Sequence, residues 1–160
     1  VVSLLRRRNF NIDSIAVGHS EQPGFSRMTL MVTGEDNEVE QAGKQLYKLL
    51  EVIKVTDLLP GQAITREMVL VKVAAKGGQR AEIMQIAEVY GARILDASPS
   101  SLMIEATGSE DQIESFLNMM RIFGIREMVR GGKIALSRGA GAKSQGRIDR
   151  INDDNFAVAD

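Results

Sequence analysis

The chain has 160 residues, enough for one large or two small domains, and its 20 basic and 21 acidic side chains leave a formal charge of −1 that draws it to neither nucleic acid nor an anionic membrane. The lack of cysteine excludes disulfides, thiolate metal sites and thiol nucleophiles, and the single histidine, His19, cannot build a multi-histidine metal centre. No apolar run approaches the roughly 20 residues of a membrane span and no signal peptide is visible, so the composition points to a soluble protein of the cell interior.

Val1, Val2, Leu4 and Leu5 have helical spacing. The chain thus opens inside a helix and without an initiator methionine, which reads as a fragment. Asn9, a residue type that tolerates the left-handed conformation, ends that helix, and Arg6, Arg7 and Arg8 complement its dipole. The β-branched Ile12, Ile15 and Val17 predict a strand over residues 11–17. At its start stands Asn11, whose amide offers both a donor and an acceptor where two elements meet. Residues 19–24 have turn composition, and residues 27–33 form a second strand with Met28, Leu30 and Val32 on one face.

Gly34, Glu35 and Asp36 then open a helix whose buried stripe is Val39, Ala42, Leu46, Leu49 and Leu50. Val52, Ile53 and Val55 predict a strand, and Pro60 with Gly61 marks a linker.

The second half opens with a strand over residues 68–75, broken by Gly77 and Gly78. Ile83, Ile86, Ala87 and Tyr90 make one face of a helix that stops at Gly91. Strands over residues 92–97 and 102–107 form a hairpin through Ser98, Pro99, Ser100 and Ser101. Ser109 caps a helix with the stripe Ile113, Phe116, Leu117, Met120 and Phe123, closed by Gly124. Residues 125–130 and 133–137 are strands on either side of Gly131 and Gly132, and the composition beyond Arg138 predicts a disordered tail.

The halves superpose with an offset of about 74 residues that matches buried positions, Val39 with Ile113 and Leu46 with Met120 among them. The second half has the full βαββαβ order of a ferredoxin-like unit, and the first lacks only its opening strand. The fold class is therefore α+β, two ferredoxin-like domains in tandem. In that topology strand one lies inside the sheet, so its loss predicts a gap with unpaired edges in the N-terminal sheet.

No catalytic constellation is visible: the GxSxG, HExxH, Walker and GxGxxG patterns are all missing. Gly77 and Gly78 before a helix read as an ordinary strand-to-helix turn, the arginine run as a solvated helix end, and Met103, Met119, Met120 and Met128 as core filling. A ferredoxin-like domain could be an RNA-binding module, but residues 27–33 and 102–107 carry no aromatic on which a base could stack. A small acylphosphatase-like enzyme would need an arginine in a phosphate-cradling loop after its first strand, which neither half shows.

Taken together, the motifs resemble the regulatory small subunits of acetolactate synthase, also called acetohydroxyacid synthase. RRRNFNIDSIAVG is similar to that family's RRGYNIESLAVG, SRMTL to its SRMTI, KQLYKLLEVIKVTDL to its KQLYKLVNVIKVxDL, and REMVLVKV to its RELMLVKV. The likeness runs on through ARILDASPSSLMIEATG and FGIREMVRGGKIALSRG, covering about residues 1–139. It implies an N-terminal ACT domain over residues 1–58, without its first strand, a linker at 59–67, a C-terminal ferredoxin-like domain at 68–138 and a disordered tail at 139–160.

The resemblance also implies a non-catalytic chain that activates a separate large subunit and confers feedback control by valine, or by leucine or isoleucine, in branched-chain amino acid biosynthesis. Thiamine diphosphate, Mg²⁺ and FAD belong to that large subunit, and this chain holds no cofactor or metal of its own. The implied partners are the large subunit and a second copy bound through the ACT domains, with no nucleic acid and no membrane, in the cytoplasm or, in a photosynthetic eukaryote, the plastid stroma. By the same resemblance Asn11 faces the effector across the interface between two ACT domains, with Ile12 beside it, while the family's ENxxGxLxR effector loop is expected before Val1. The other readings are a free-standing ACT sensor of another enzyme and an RNA-binding module.

Overall fold

The computed structural model describes residues 3, 10–34, 36–58, 61–139 and 144–146. In chain order the described elements are β1 (Asn11–His19), β2 (Ser26–Thr33), α1 (Asp36–Leu46), β3 (Lys54–Thr56), β4 (Ala63–Ala74), α2 (Gln79–Val89), β5 (Arg93–Ser98), β6 (Ser101–Gly108), α3 (Glu110–Arg121), β7 (Ile125–Arg130), β8 (Ile134–Ser137) and β9 (Ser144–Gly146). Apart from Ser3, which is helical, the expected opening helix with its arginine run and Asn9 lies outside the described residues.

Strict alternation makes β4 the centre of the larger sheet. Val69, Val71 and Val73 all point to one face and are fully buried, as strand pleating requires. β4 pairs antiparallel with β6, from Glu67 opposite Gly108 to Ala74 opposite Ser101, and with β7, from Val69 opposite Arg130 to Val73 opposite Ile125. β5 adds to the far side of β6, giving the order β5-β6-β4-β7, with β8 also paired to β4. This is the ferredoxin-like order expected of a βαββαβ unit.

Helices α2 and α3 cover one face of that sheet. Ile83 and Ala87 from α2, and Ile113, Phe116, Leu117 and Met120 from α3, are buried against the β4 valines and Leu102, Ile104 and Ala106 of β6. Each large side chain in this set contributes about 1.5–3 kcal/mol by leaving water. Tyr90 meets Phe116 edge to face with ring centroids 5.5 Å apart. Ser109 caps α3 in a capping box with Gln112, and Gly91 and Gly124, at φ of +64° and +94°, take the left-handed turns after the two helices. Phe123 lies beyond the end of α3, yet still packs on the core.

The N-terminal half departs further from expectation. β1 and β2 form a hairpin, closed by Ser20 N–H donating to the Phe25 carbonyl at 3.0 Å, and β3 belongs to a separate two-stranded sheet. The predicted gap is thus present: among the described residues no strand joins β2 to β3. Part of the expected disordered tail occupies one of the exposed edges, with β9 running antiparallel to β3 from Lys54 opposite Gly146 to Thr56 opposite Ser144. An edge strand with unpaired backbone groups recruits whatever strand can reach it. Residues 140–143 and 147–160 lie outside the described residues.

Three other boundaries shift. α1 ends at Leu46, four residues short of the predicted stripe, and Leu50 is 87% exposed because the chain turns away before that position can face a core. β3 begins only at Lys54, leaving Val52 and Ile53 outside it. β4 begins at Ala63, inside the expected linker, because the alternation of Ala63, Thr65 and Glu67 continues that of the valines and β8 supplies the first residues with a partner.

The chain divides into two compact units, one of residues 1–13, 30–64 and 136–160, the other of Ser14–Thr29 and Thr65–Ala135. The cut at Ile64 falls within the expected linker. The transfer of Ser14–Thr29 to the second unit was not expected. Within that unit Lys133 N–H donates to Ser14 Oγ at 3.4 Å.

Candidate effector site

Asn11 is the first residue of β1 and is exposed, so its amide is held by the strand but open to solvent. Its Nδ2 donates to Oδ1 of Asp13 at 3.4 Å. Two residues along a strand share a face, so this pairing follows from the pleat. Asp13 in turn accepts a hydrogen bond from the hydroxyl of Thr33, the last residue of β2, which ties the two strands together at this end of the hairpin. Among the described residues, Asn11 Oδ1 has no hydrogen-bond partner.

Ile12, the second residue expected at the site, is half-buried and lies on the opposite face of β1 from Asn11. The structure therefore groups Asn11 with Asp13 and Thr33 rather than with Ile12. Asp13 was not singled out by the sequence reading, although its spacing of two from Asn11 on a predicted strand was the available signal.

The cluster offers an amide, a hydroxyl and a carboxylate, which can bind a small polar ligand but contain no activated nucleophile. Among the described residues no group of three or more histidine, aspartate or glutamate side chains is placed to hold a metal, and no helix is long and apolar enough to cross a membrane. The nine described strands carry no Phe, Tyr or Trp.

Among the described residues the one strongly buried charged side chain lies elsewhere. Glu67, 4% exposed on β4, receives Arg130 of β7 in a bidentate pair with Nη2–Oε1 at 2.5 Å and Nε–Oε2 at 3.1 Å. Arg130 also reaches Glu114 of α3 at 3.2 Å, and its guanidinium is held more firmly protonated than usual, chiefly by the bond to Glu67. This network joins sheet to helix and has the character of a structural tie.

Comparison with known proteins assigns both halves. Residues 1–54 match the family model described as AHAS small subunit-like ACT domain, and residues 66–139 match the one described as small subunit of acetolactate synthase. A protein of Methanothermobacter thermautotrophicus named "Probable acetolactate synthase small subunit" is 47% identical over 141 residues, which cover 88% of this chain and 84% of the relative. The chain belongs to the acetolactate synthase small-subunit family. The acetolactate synthase small subunit of Mycobacterium leprae is 43% identical over 139 residues, covering 87% of this chain and 82% of that one. The crystal structure of the acetolactate synthase small subunit from Thermotoga maritima matches with a TM-score of 0.81 at 42% identity, over 88% of each chain.

As a member of this regulatory small-subunit family, the chain acts with a catalytic large subunit of acetolactate synthase. The ACT match contains β1, β2 and α1, so Asn11, Asp13 and Thr33 all belong to the ACT half. The C-terminal match begins at Arg66, inside β4 and close to the boundary between the two compact units.

Proposed function

We propose that this small subunit is a non-catalytic effector sensor, in which Asn11 and Ile12 of an ACT domain spanning residues 1–58 bind valine, or another branched-chain amino acid, at an interface between two copies. Occupancy of that interface favours one dimer geometry, and the large subunit responds to the geometry through its contacts with the small-subunit dimer. Thiamine diphosphate, Mg²⁺ and FAD reside in the large subunit, and the assembly works in the cytoplasm. The C-terminal domain over residues 68–138 completes the subunit. The observation that carries this reading is the exposed Asn11 amide on the first residue of β1, whose carbonyl oxygen has no partner among the described residues, in the ACT half.

A valine titration of reconstituted acetolactate synthase activity tests it, with the full-length small subunit and its Asn11→Ala variant side by side. Loss of one or two hydrogen bonds to the effector weakens valine sensitivity by roughly 5- to 150-fold, while stimulation of the large subunit without valine persists. Unchanged sensitivity removes Asn11 from the site. Light scattering checks the second copy: a strict monomer at micromolar concentration contradicts an interfacial site.

A further inference from the structure

We infer that Asp13 is the specificity-determining residue of this site, orienting Asn11 so that the site accepts a ligand through a free ammonium group. This rests on the effector reading above and adds to it which end of the amino acid meets β1. An ionised carboxylate can only accept hydrogen bonds, so the group of Asn11 that faces Asp13 Oδ1 at 3.4 Å has to be the NH₂ and not the carbonyl. The amide is thereby fixed in one of its two orientations on chemical grounds. Asn11 then presents Oδ1, an acceptor without a partner among the described residues, next to a formal negative charge.

Asp13 is itself held in place. Thr33 at the end of β2 donates its hydroxyl to the other carboxylate oxygen, so the carboxylate spans the hairpin and cannot turn away from Asn11 without breaking that bond. Among the described residues no lysine or arginine forms an ion pair with Asp13, so within that set its charge is available to a ligand. Two acceptors, one of them charged, match an ammonium group, which has three donors and no acceptor. A ligand carboxylate at the same place would meet like charge. The amino acid therefore binds with its ammonium toward Asn11 and Asp13, and its carboxylate is received elsewhere.

The test measures binding to the full-length small subunit by calorimetry, with L-valine, with 3-methylbutanoate, which has the same carbon skeleton without the ammonium, and with N-acetyl-L-valine. The wild type binds L-valine at least about tenfold more tightly than either analogue, the difference a charge-assisted hydrogen bond supplies. Asp13→Asn, close to isosteric but uncharged, loses most of that preference. Asp13→Glu retains it, and Thr33→Val, which frees the carboxylate, reduces it. Circular dichroism and thermal unfolding show that each variant is folded, and if Asp13→Asn fails there, Asp13→Glu and Thr33→Val decide. Valine that binds Asp13→Asn with unchanged affinity and selectivity overturns the role of Asp13 alone. A wild type that binds no valine overturns the effector reading together with this one.

Discussion

The backbone of Ile15 in β1 runs directly over Gly132 in the turn between β7 and β8: a β-carbon added to Gly132 would lie 2.8 Å from the Ile15 carbonyl carbon and closer still to its oxygen. The neighbour is main chain, which cannot rotate aside, so the strand itself would have to move. Gly132→Ala is therefore expected to cost about 1–3 kcal/mol, the range for overpacking. At Gly131 the nearest atom to an added β-carbon is the Met68 carbonyl oxygen at 3.5 Å, an ordinary contact, and Gly131→Ala is expected to stay within about 0.5 kcal/mol. Urea unfolding of the two variants in parallel checks the contrast, and equal losses would mean that β1 does not rest on this turn.

The Glu67 and Arg130 pair makes a second prediction. Arg130→Met leaves a carboxylate buried without its bidentate partner, a change that costs about 3–5 kcal/mol in a fully buried pair. Because Arg130 remains 29% exposed, solvent reduces this to about 2–3 kcal/mol. The double variant with Glu67→Met is expected to regain most of the loss, since no unpaired charge then remains in the core. A denaturant series on both proteins decides; a double variant no more stable than Arg130→Met would refute the account.

Ser109 offers a third. Its hydroxyl accepts from the Gln112 amide at 3.4 Å while Gln112 Oε1 accepts from Ser109 N–H at 2.9 Å, so two otherwise orphaned donors at the start of α3 are satisfied. Ser109→Ala is expected to lower stability by about 1 kcal/mol, and Ser109→Asp to restore it. Thermal unfolding followed by circular dichroism reads both.

The fourth concerns pH. Glu114 is held below the usual carboxylate range, first by the hydrogen bond from Arg121 at 3.0 Å and less strongly by Arg130. A carboxyl whose folded pKa lies below its unfolded value stabilises the protein above the unfolded pKa. That contribution fades as pH falls through the folded value. Acid therefore weakens the wild type more steeply below about pH 4.5 than it weakens Glu114→Gln. Unfolding midpoints of the pair measured between neutral and acid pH give the comparison, and parallel curves would exclude the contribution.

Much of the second half was legible residue by residue. The β-rich run that lies in β4, the i, i+3, i+4 stripe of α2, the Ser109 cap and the glycines after both helices are local signals, and the structure uses each of them. The first half was less legible for a physical reason. Leu49 and Leu50 read as core by spacing alone, but whether spacing becomes burial depends on a sheet to pack against, and there the strands form two separate pairs. At the site the sequence singled out Asn11 by residue type at a junction. Ile12 came with it only through the family motif, and the structure set it on the other face.

What the sequence by itself determined is whatever depends on residue type and short spacing: the α+β class, the βαββαβ order, the family and the position of Asn11. Only the tertiary structure decided which residues meet across chain distance. Thr33 reaches Asp13 from twenty residues away, Arg130 reaches Glu67 from sixty-three, and Ser144–Gly146 pairs with β3, because such contacts are set by strand register and by edges in need of partners. Periodicity within a segment records which face is apolar, but it carries no information about which other segment will satisfy the backbone along its edge.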